Sequence, residues 1–192
     1  ISCPFEIIVP DGEVDCLGVA GGDAEYDRCG VCEGDGMSCI DCEDFDVENI
    51  LFSMDGVADE QANIIKQLTK RYKKAAKGTS KEQLAKNYRL KTNLRADELF
   101  TQNWTFTWST PTIVTQCAAS EFCVEVNNVA SIEQYNVNSD ELLQLAKKTK
   151  RKIKKVAKVT KKVRALVTRA KELNAESVAL SGTVPTTQSI CS

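Results

Sequence analysis

This 192-residue chain contains no histidine. That removes the commonest general base, the catalytic dyads and triads built on it, and most catalytic zinc sites. No nucleophile elbow, phosphate-binding loop or paired-carboxylate signature stands out either, so the chain is read as not an enzyme. No stretch approaches the roughly 20 consecutive apolar residues of a membrane-spanning helix, and no EF-hand spacing occurs. A chain that begins at Ile1 rather than methionine is read as exported, with its signal peptide removed. Its length allows one ordinary core and a small disulfide-tied module.

Cysteine, by contrast, is plentiful. Cys3, Cys16, Cys29, Cys32, Cys39, Cys42, Cys117, Cys123 and Cys191 make nine, six of them before residue 43. An odd set leaves at least one free or paired between chains. The stretch from Asp15 to Cys39 sets its cysteines among glycines and aspartates with almost nothing apolar to bury, so its order must come from covalent links or bound ions. Disulfides are the expected state. The alternative is a zinc thiolate site, because Cys29-Gly-Val-Cys32 and Cys39-Ile-Asp-Cys42 are two Cys-x-x-Cys pairs, although the six residues between them are fewer than in a zinc ribbon.

Over residues 15–39 the sequence resembles the Asp-Cys-x-Gly-Val-Cys-Gly-Gly-Asp…Asp-x-Cys-Gly-Val-Cys-Gly-Gly-Asp-Gly-x-Ser-Cys repeats of secreted and cell-surface proteins. A related Cys-Gly-Val-Cys-Gly-Gly-Asp sequence occurs in the cysteine-rich region of ADAMTS-type extracellular proteases. The resemblance implies an exported setting and carries no activity with it. Ala20 stands where the repeat has a cysteine, which leaves a usual partner unpaired.

The net charge of −2 conceals a strong segregation. Residues 1–60 carry 17 acidic and 1 basic side chain, 61–101 carry 3 and 11, 102–146 carry 5 and none, and 147–192 carry 2 and 13. The block charges are −16, +8, −5 and +11. Acidic and basic segments of this kind neutralise each other within the fold or meet between neighbouring copies.

Apolar residues recur at alternating gaps of four and three from Val47 through Leu51, Met54, Ala58, Gln61, Ile65, Leu68 and Tyr72 to Ala75, the seam of a helix that packs on another. Gly56 predicts a start or bend within it. Lysines before Gly78 suit a helix C-terminus. Thr79-Ser80-Lys81-Glu82 then has capping-box spacing, opening a second helix with Leu84, Tyr88, Leu94, Leu99 and Phe100. So short a turn predicts an antiparallel hairpin. A third helix is expected from Asn138 to about Leu173, with the seam Thr149, Ile153, Val156, Thr160, Val163, Val167 and Ala170. Unbroken, it would be roughly 50 Å long, which suits a rod.

Between the second and third helices the pattern alternates, predicting strands at Asn103–Trp108, Thr112–Thr115 and Phe122–Val126. On such a strand Trp104, Phe106 and Trp108 share one face, which covers a core or binds sugar. Phe5, Ile7 and Val9, between Pro4 and Pro10, form another β-prone run, which either pairs within its own chain or is donated to the sheet of a neighbour. Asn103-Trp104-Thr105 is the one glycosylation sequon. The Ser/Thr-rich tail reads as extended, with Cys191 tying it to Cys117, Cys123 or another chain.

No cofactor is called for. Calcium is the one ion the composition invites, through Asp23, Asp27, Asp35 and Asp41 in glycine-rich loops. The lysine run at 147–155 suits a solvated face or an acidic partner; nucleic acid is not expected for an oxidised exported chain. Its apolar side, rich in Val, Ala and Thr, is too small for membrane insertion.

The expected fold class is α+β: an elongated antiparallel helical bundle or hairpin with a small β-sheet and an N-terminal disulfide-rich, loop-rich module. The divisions are a β-prone segment at 1–14, a cysteine-rich acidic module at 15–45, a helical domain at 46–180 with a β insertion at about 103–128, and a Ser/Thr-rich tail at 181–192. The function expected is that of an extracellular structural glycoprotein, a subunit of a cell-surface filament or coat whose partner is itself. The alternative is a secreted adhesion module that depends on calcium or binds cell-surface glycans.

Overall fold

A computed structural model describes residues 14–26, 31–34, 42–117 and 123–191. The fold is α+β, as expected. Among the described residues four helices, α1 (Glu48–Ala76), α2 (Glu82–Ser109), α3 (Val129–Lys154) and α4 (Lys161–Ser181), are accompanied by four short strands, β1 (Cys42–Asp46), β2 (Ile113–Cys117), β3 (Cys123–Asn127) and β4 (Thr187–Cys191). The strands form two antiparallel pairs, β1 with β2 and β3 with β4. The chain divides into two compact units, Ile1–Glu43 with Cys117–Glu121, and Asp44–Gln116 with Phe122–Ser192.

The larger unit is an up-down-up-down four-helix bundle. Cross-helix bonds give the directions. Thr69 to Asn93 and Lys66 to Asp97 run α1 against α2; Tyr88 to Thr149 and Asn103 to Asn138 run α2 against α3; Ser139 to Asn174 and Asn136 to Ser181 run α3 against α4. Helix α1 packs on all three others, whereas α2 and α4 lie across the bundle from each other. The seam expected on α1 is buried from Val47 to Tyr72, while Ala75 is half-buried and Ala76 takes its place; Val57, Ala62, Ile64 and Thr69 join it, because a helix with three neighbours buries more than a stripe. Each large apolar side chain so buried contributes about 1.5–3 kcal/mol. The helix passes through Gly56 without a break. It ends where Gly78 takes φ +74° and its N–H donates to the Glu82 carboxylate at 2.8 Å.

Two expectations about the elements are corrected, and the extended tail gains a partner. Residues 103–108 are the last turns of α2, not a strand. Their threonines satisfy themselves helically: Thr105 Oγ1 donates to the Thr101 carbonyl at 2.8 Å and Thr107 Oγ1 to that of Trp104 at 2.9 Å. Thr110 is extended, as its position before Pro111 demands, and ends the helix. The β segment is therefore shorter, with β2 and β3 close to the two later strands expected.

The single long third helix is two helices. Helix α3 starts nine residues earlier than Asn138, stops at Lys154, and α4 restarts after Thr160, whose side chain accepts from Val163 N at 3.3 Å. Folding back lets Ile153, Val163, Val167 and Ala170 share one core with α1. Finally, the tail contains β4, paired antiparallel with β3 so that Cys191 lies opposite Cys123.

In the smaller unit, order comes from turns and covalent links, as its composition requires. Asp15 Oδ1 accepts from the N–H groups of Leu17 at 3.0 Å and Val19 at 2.7 Å, and Gly18 and Gly21 take positive φ. Cys16 is bonded to Cys32 and Cys42 to Cys117; in the larger unit Cys123 is also disulfide-bonded. These bonds remove Cys32 and Cys42 from any four-thiolate zinc site. Cys3, Cys29 and Cys39 lie outside the described residues.

Candidate interaction surfaces

Up-down connectivity turns the charge blocks into poles. Residues 66–91 straddle the α1/α2 turn and 147–164 straddle the α3/α4 turn, so both sit at the same end of the bundle. They carry 21 of the 25 lysines and arginines, against one acidic residue, Glu82. Over the rest of the bundle, which meets this end at the Lys66–Asp97 pair, residues 44–60, 97–116, 123–146 and 170–191 carry 14 acidic side chains and one basic one, Lys171.

Ion pairs fasten the helices where the two charge regions meet. The Arg95 guanidinium donates to both Glu141 oxygens at 2.7 and 2.6 Å, joining α2 to α3. Arg169 does the same to Glu60 at 2.8 and 2.7 Å, joining α4 to α1. Each guanidinium holds its partner's carboxyl below the usual glutamate value. A buried polar ladder keeps the bundle in register: Gln61 Nε2 donates to Ser139 Oγ, which donates to Asn174 Oδ1, while Tyr135 OH donates to the Met54 carbonyl. Burial pushes the Tyr135 phenol up to about 12.

The aromatic stripe is rearranged by helicity. Phe106 turns inward against Tyr135, ring centres 5.8 Å apart. Trp104 and Trp108, one turn apart, lie with ring centres 5.4 Å apart and planes tilted by 39° on the outer face and are 41% and 71% exposed. They therefore do not cover the core. Beside them Phe52 of α1 is 81% exposed, and Leu51, Phe52, Asp55 and Trp108 line a groove of about 270 Å³. Asp55 Oδ1 is buried there without a hydrogen-bond partner, and its carboxyl is held above the usual aspartate value by burial and by Asp59. Further along the same pair of helices, Lys73, Lys86, Arg89, Leu90 and Leu94 line a groove of about 310 Å³. Leu90, Leu94, Trp104 and Trp108, at gaps of four, ten and four residues, fall on one side of the helix and make one stripe. Helix α2 buries only six residues, so it keeps this second apolar face.

Asn103 is 1% exposed, and its Oδ1 accepts from Asn138 Nδ2 at 2.8 Å inside the bundle. A glycan on its amide and this packing exclude each other. Among the calcium candidates Asp23 is described, while Asp27, Asp35 and Asp41 lie outside the described residues, as do Phe5, Ile7 and Val9. Among the described residues no three Cys, Asp or Glu side chains converge on a metal position, and no helix is long and apolar enough to cross a membrane.

Comparison with known proteins gives no matching family model, no matching curated protein and no matching solved structure. The class that the fold and surfaces define is a disulfide-bonded α+β protein built on a four-helix bundle of two charged poles.

Proposed function

We propose that this chain is a structural subunit of an extracellular filament or coat and that it associates with its own copies. The observation that carries the reading is the separation of 21 basic side chains at one end of the bundle from the acidic side chains at the other. Such a molecule is electrostatically complementary to itself, and complementary patches raise encounter rates and fix orientation. The disulfides and the resemblance of residues 15–39 to secreted repeats support an oxidising, extracellular setting. The odd cysteine count supplies a further means of joining copies.

Electron microscopy of the native, disulfide-bonded chain tests this directly. Ordered fibres or sheets are expected near physiological salt, loosening in 0.5–1 M salt, where the Debye length falls to a few ångströms. Discrete monomers under every condition would sink the proposal. A second reading, adhesion to glycans, is favoured by one observation, the exposed Trp104–Trp108 pair beside Asp55. Retention of a monomeric chain on a glycan matrix, abolished by Trp108→Ala, would establish that reading instead.

A further inference from the structure

The outer face of α1 and α2 has an order of its own. From one end of the bundle to the other it runs through the groove holding Lys73, Lys86 and Arg89, then Leu90 and Leu94, then Trp104, and ends at the groove of Phe52, Asp55 and Trp108. Cations lie at one end, carboxylates at the other, and apolar side chains between them. Each end holds a group awaiting a counter-charge: Arg89 Nε and Asp55 Oδ1 are both buried without hydrogen-bond partners.

We propose that this face is a self-complementary interface on which a second copy of the chain docks antiparallel, the cationic groove of each copy meeting the aromatic and acidic groove of the other. The proposal rests on self-association and specifies its geometry. A parallel pairing would set lysine against lysine and carboxylate against carboxylate. Rotation about a two-fold axis instead sets each groove on its complement.

The spacing of α2 fits such an axis. With the two-fold beside Asp97, Leu90 faces Trp104 of the other copy, and Lys86, whose ammonium also holds Glu82 at 2.9 Å, faces its Trp108 as a cation–π partner. Asp97 would meet its own equivalent at the axis, but its charge is already matched by Lys66 Nζ at 2.6 Å. From Lys86 to Trp108 the stripe is about 33 Å long. With the width of two packed helices, about 20 Å, the face offers on the order of 700 Å² per copy, near the 800 Å² of a standard specific interface. A two-fold contact closes on itself, so it yields a dimer as the repeating block, and growth beyond the dimer uses other surfaces.

Sedimentation of the full disulfide-bonded chain tests the geometry through a charge swap. Lys86→Glu alone opposes Asp55 at both symmetric contacts, and Asp55→Lys alone opposes Lys86 at both. A mixture of the two restores opposite charges at every contact. The wild type is expected to be dimeric, each variant monomeric, and the equimolar mixture dimeric. Trp108→Ala, a change at an exposed site that leaves the fold intact, should raise the dimer dissociation constant at least about 30-fold, as loss of an interface hot spot does. A monomeric wild type, a mixture that stays monomeric, or variants that dimerise like the wild type would overturn the inference. Fibres that persist in Trp108→Ala with unchanged sedimentation would refute this interface and leave the filament reading standing. A closed wild-type dimer without fibres would do the reverse. Trp108-dependent glycan retention by a monomer overturns it as well.

Discussion

Leu94 and Leu99 stand five residues apart on α2, and the same substitution should be costly at Leu99 and nearly neutral at Leu94. Leu99 is fully buried in the main core with Leu68, Tyr72, Leu142 and Leu173, whereas Leu94 is 62% exposed on the outer stripe. Leu99→Ala removes buried methyl groups and leaves a cavity, a loss of about 2.7–5 kcal/mol. Leu94→Ala removes little buried area and gains slightly in helix propensity, so its effect on the isolated chain is within about 0.5 kcal/mol of zero. Both changes are Leu→Ala in one helix, so the propensity term is common and the difference reports packing alone. Urea unfolding followed by helical circular dichroism, with disulfides intact and protein dilute enough to be monomeric, gives both numbers. Equal losses would show that α2 is rotated from the orientation described, and the outer stripe would cease to exist.

Gly56 is an exposed glycine inside α1 with open space where a Cβ would sit, so Gly56→Ala should stabilise the chain by about 0.5–1 kcal/mol in the same urea assay. Glu60 and Glu141 have folded values below their ordinary one, so their contribution is present above the unfolded glutamate value near 4.5 and is lost as pH falls through the folded values. Acid titration at fixed urea should therefore show unfolding beginning below about pH 4.5. In Glu141→Gln, which has no carboxylate to protonate there, the dependence over that window should be shallower. Asp55, with its value raised, acts in the other direction, and Asp55→Asn should be more stable than the parent above the ordinary aspartate range.

Much of the bundle was legible because burial leaves a periodic trace. The α1 seam, the Gly78 turn and β2 with β3 all carry local signals that agree with their tertiary setting. The strand expected at 103–108 failed for an identifiable reason: Thr, Trp and Phe alternating is the pattern of a strand, but these residues extend a helix already begun at Glu82, and propagation needs no new nucleus. The break between α3 and α4 lacks glycine and proline, and only the Thr160 cap marks it. Asn138 and Ser139 looked like a helix start but are buried donors and acceptors within α3, a role visible only once Asn103, Gln61 and Asn174 surround them. The charge blocks were legible as blocks. Their meeting in poles depends on which turns join which helices, and the fold-back at residues 155–160 is what brings the lysine run beside the end of α1.

That concentration of charge has a consequence that separates folding from association. Neighbouring helices lie about 8–10 Å apart, close to the 8 Å Debye length at physiological ionic strength, so the cations of the basic pole repel one another across the bundle. Added salt screens this repulsion and should raise the unfolding midpoint of the dilute monomer. The same salt screens the attraction between a basic pole and an acidic one, and should weaken association. An apolar interface without charge matching would respond the other way, since salting-out strengthens burial. Measured on one preparation, stability rising and dimer content falling between low and 0.5 M salt would tie both effects to the poles. A dimer that strengthens with salt would place the binding energy in the Leu90, Leu94, Trp104 and Trp108 stripe and leave the charges to select orientation alone.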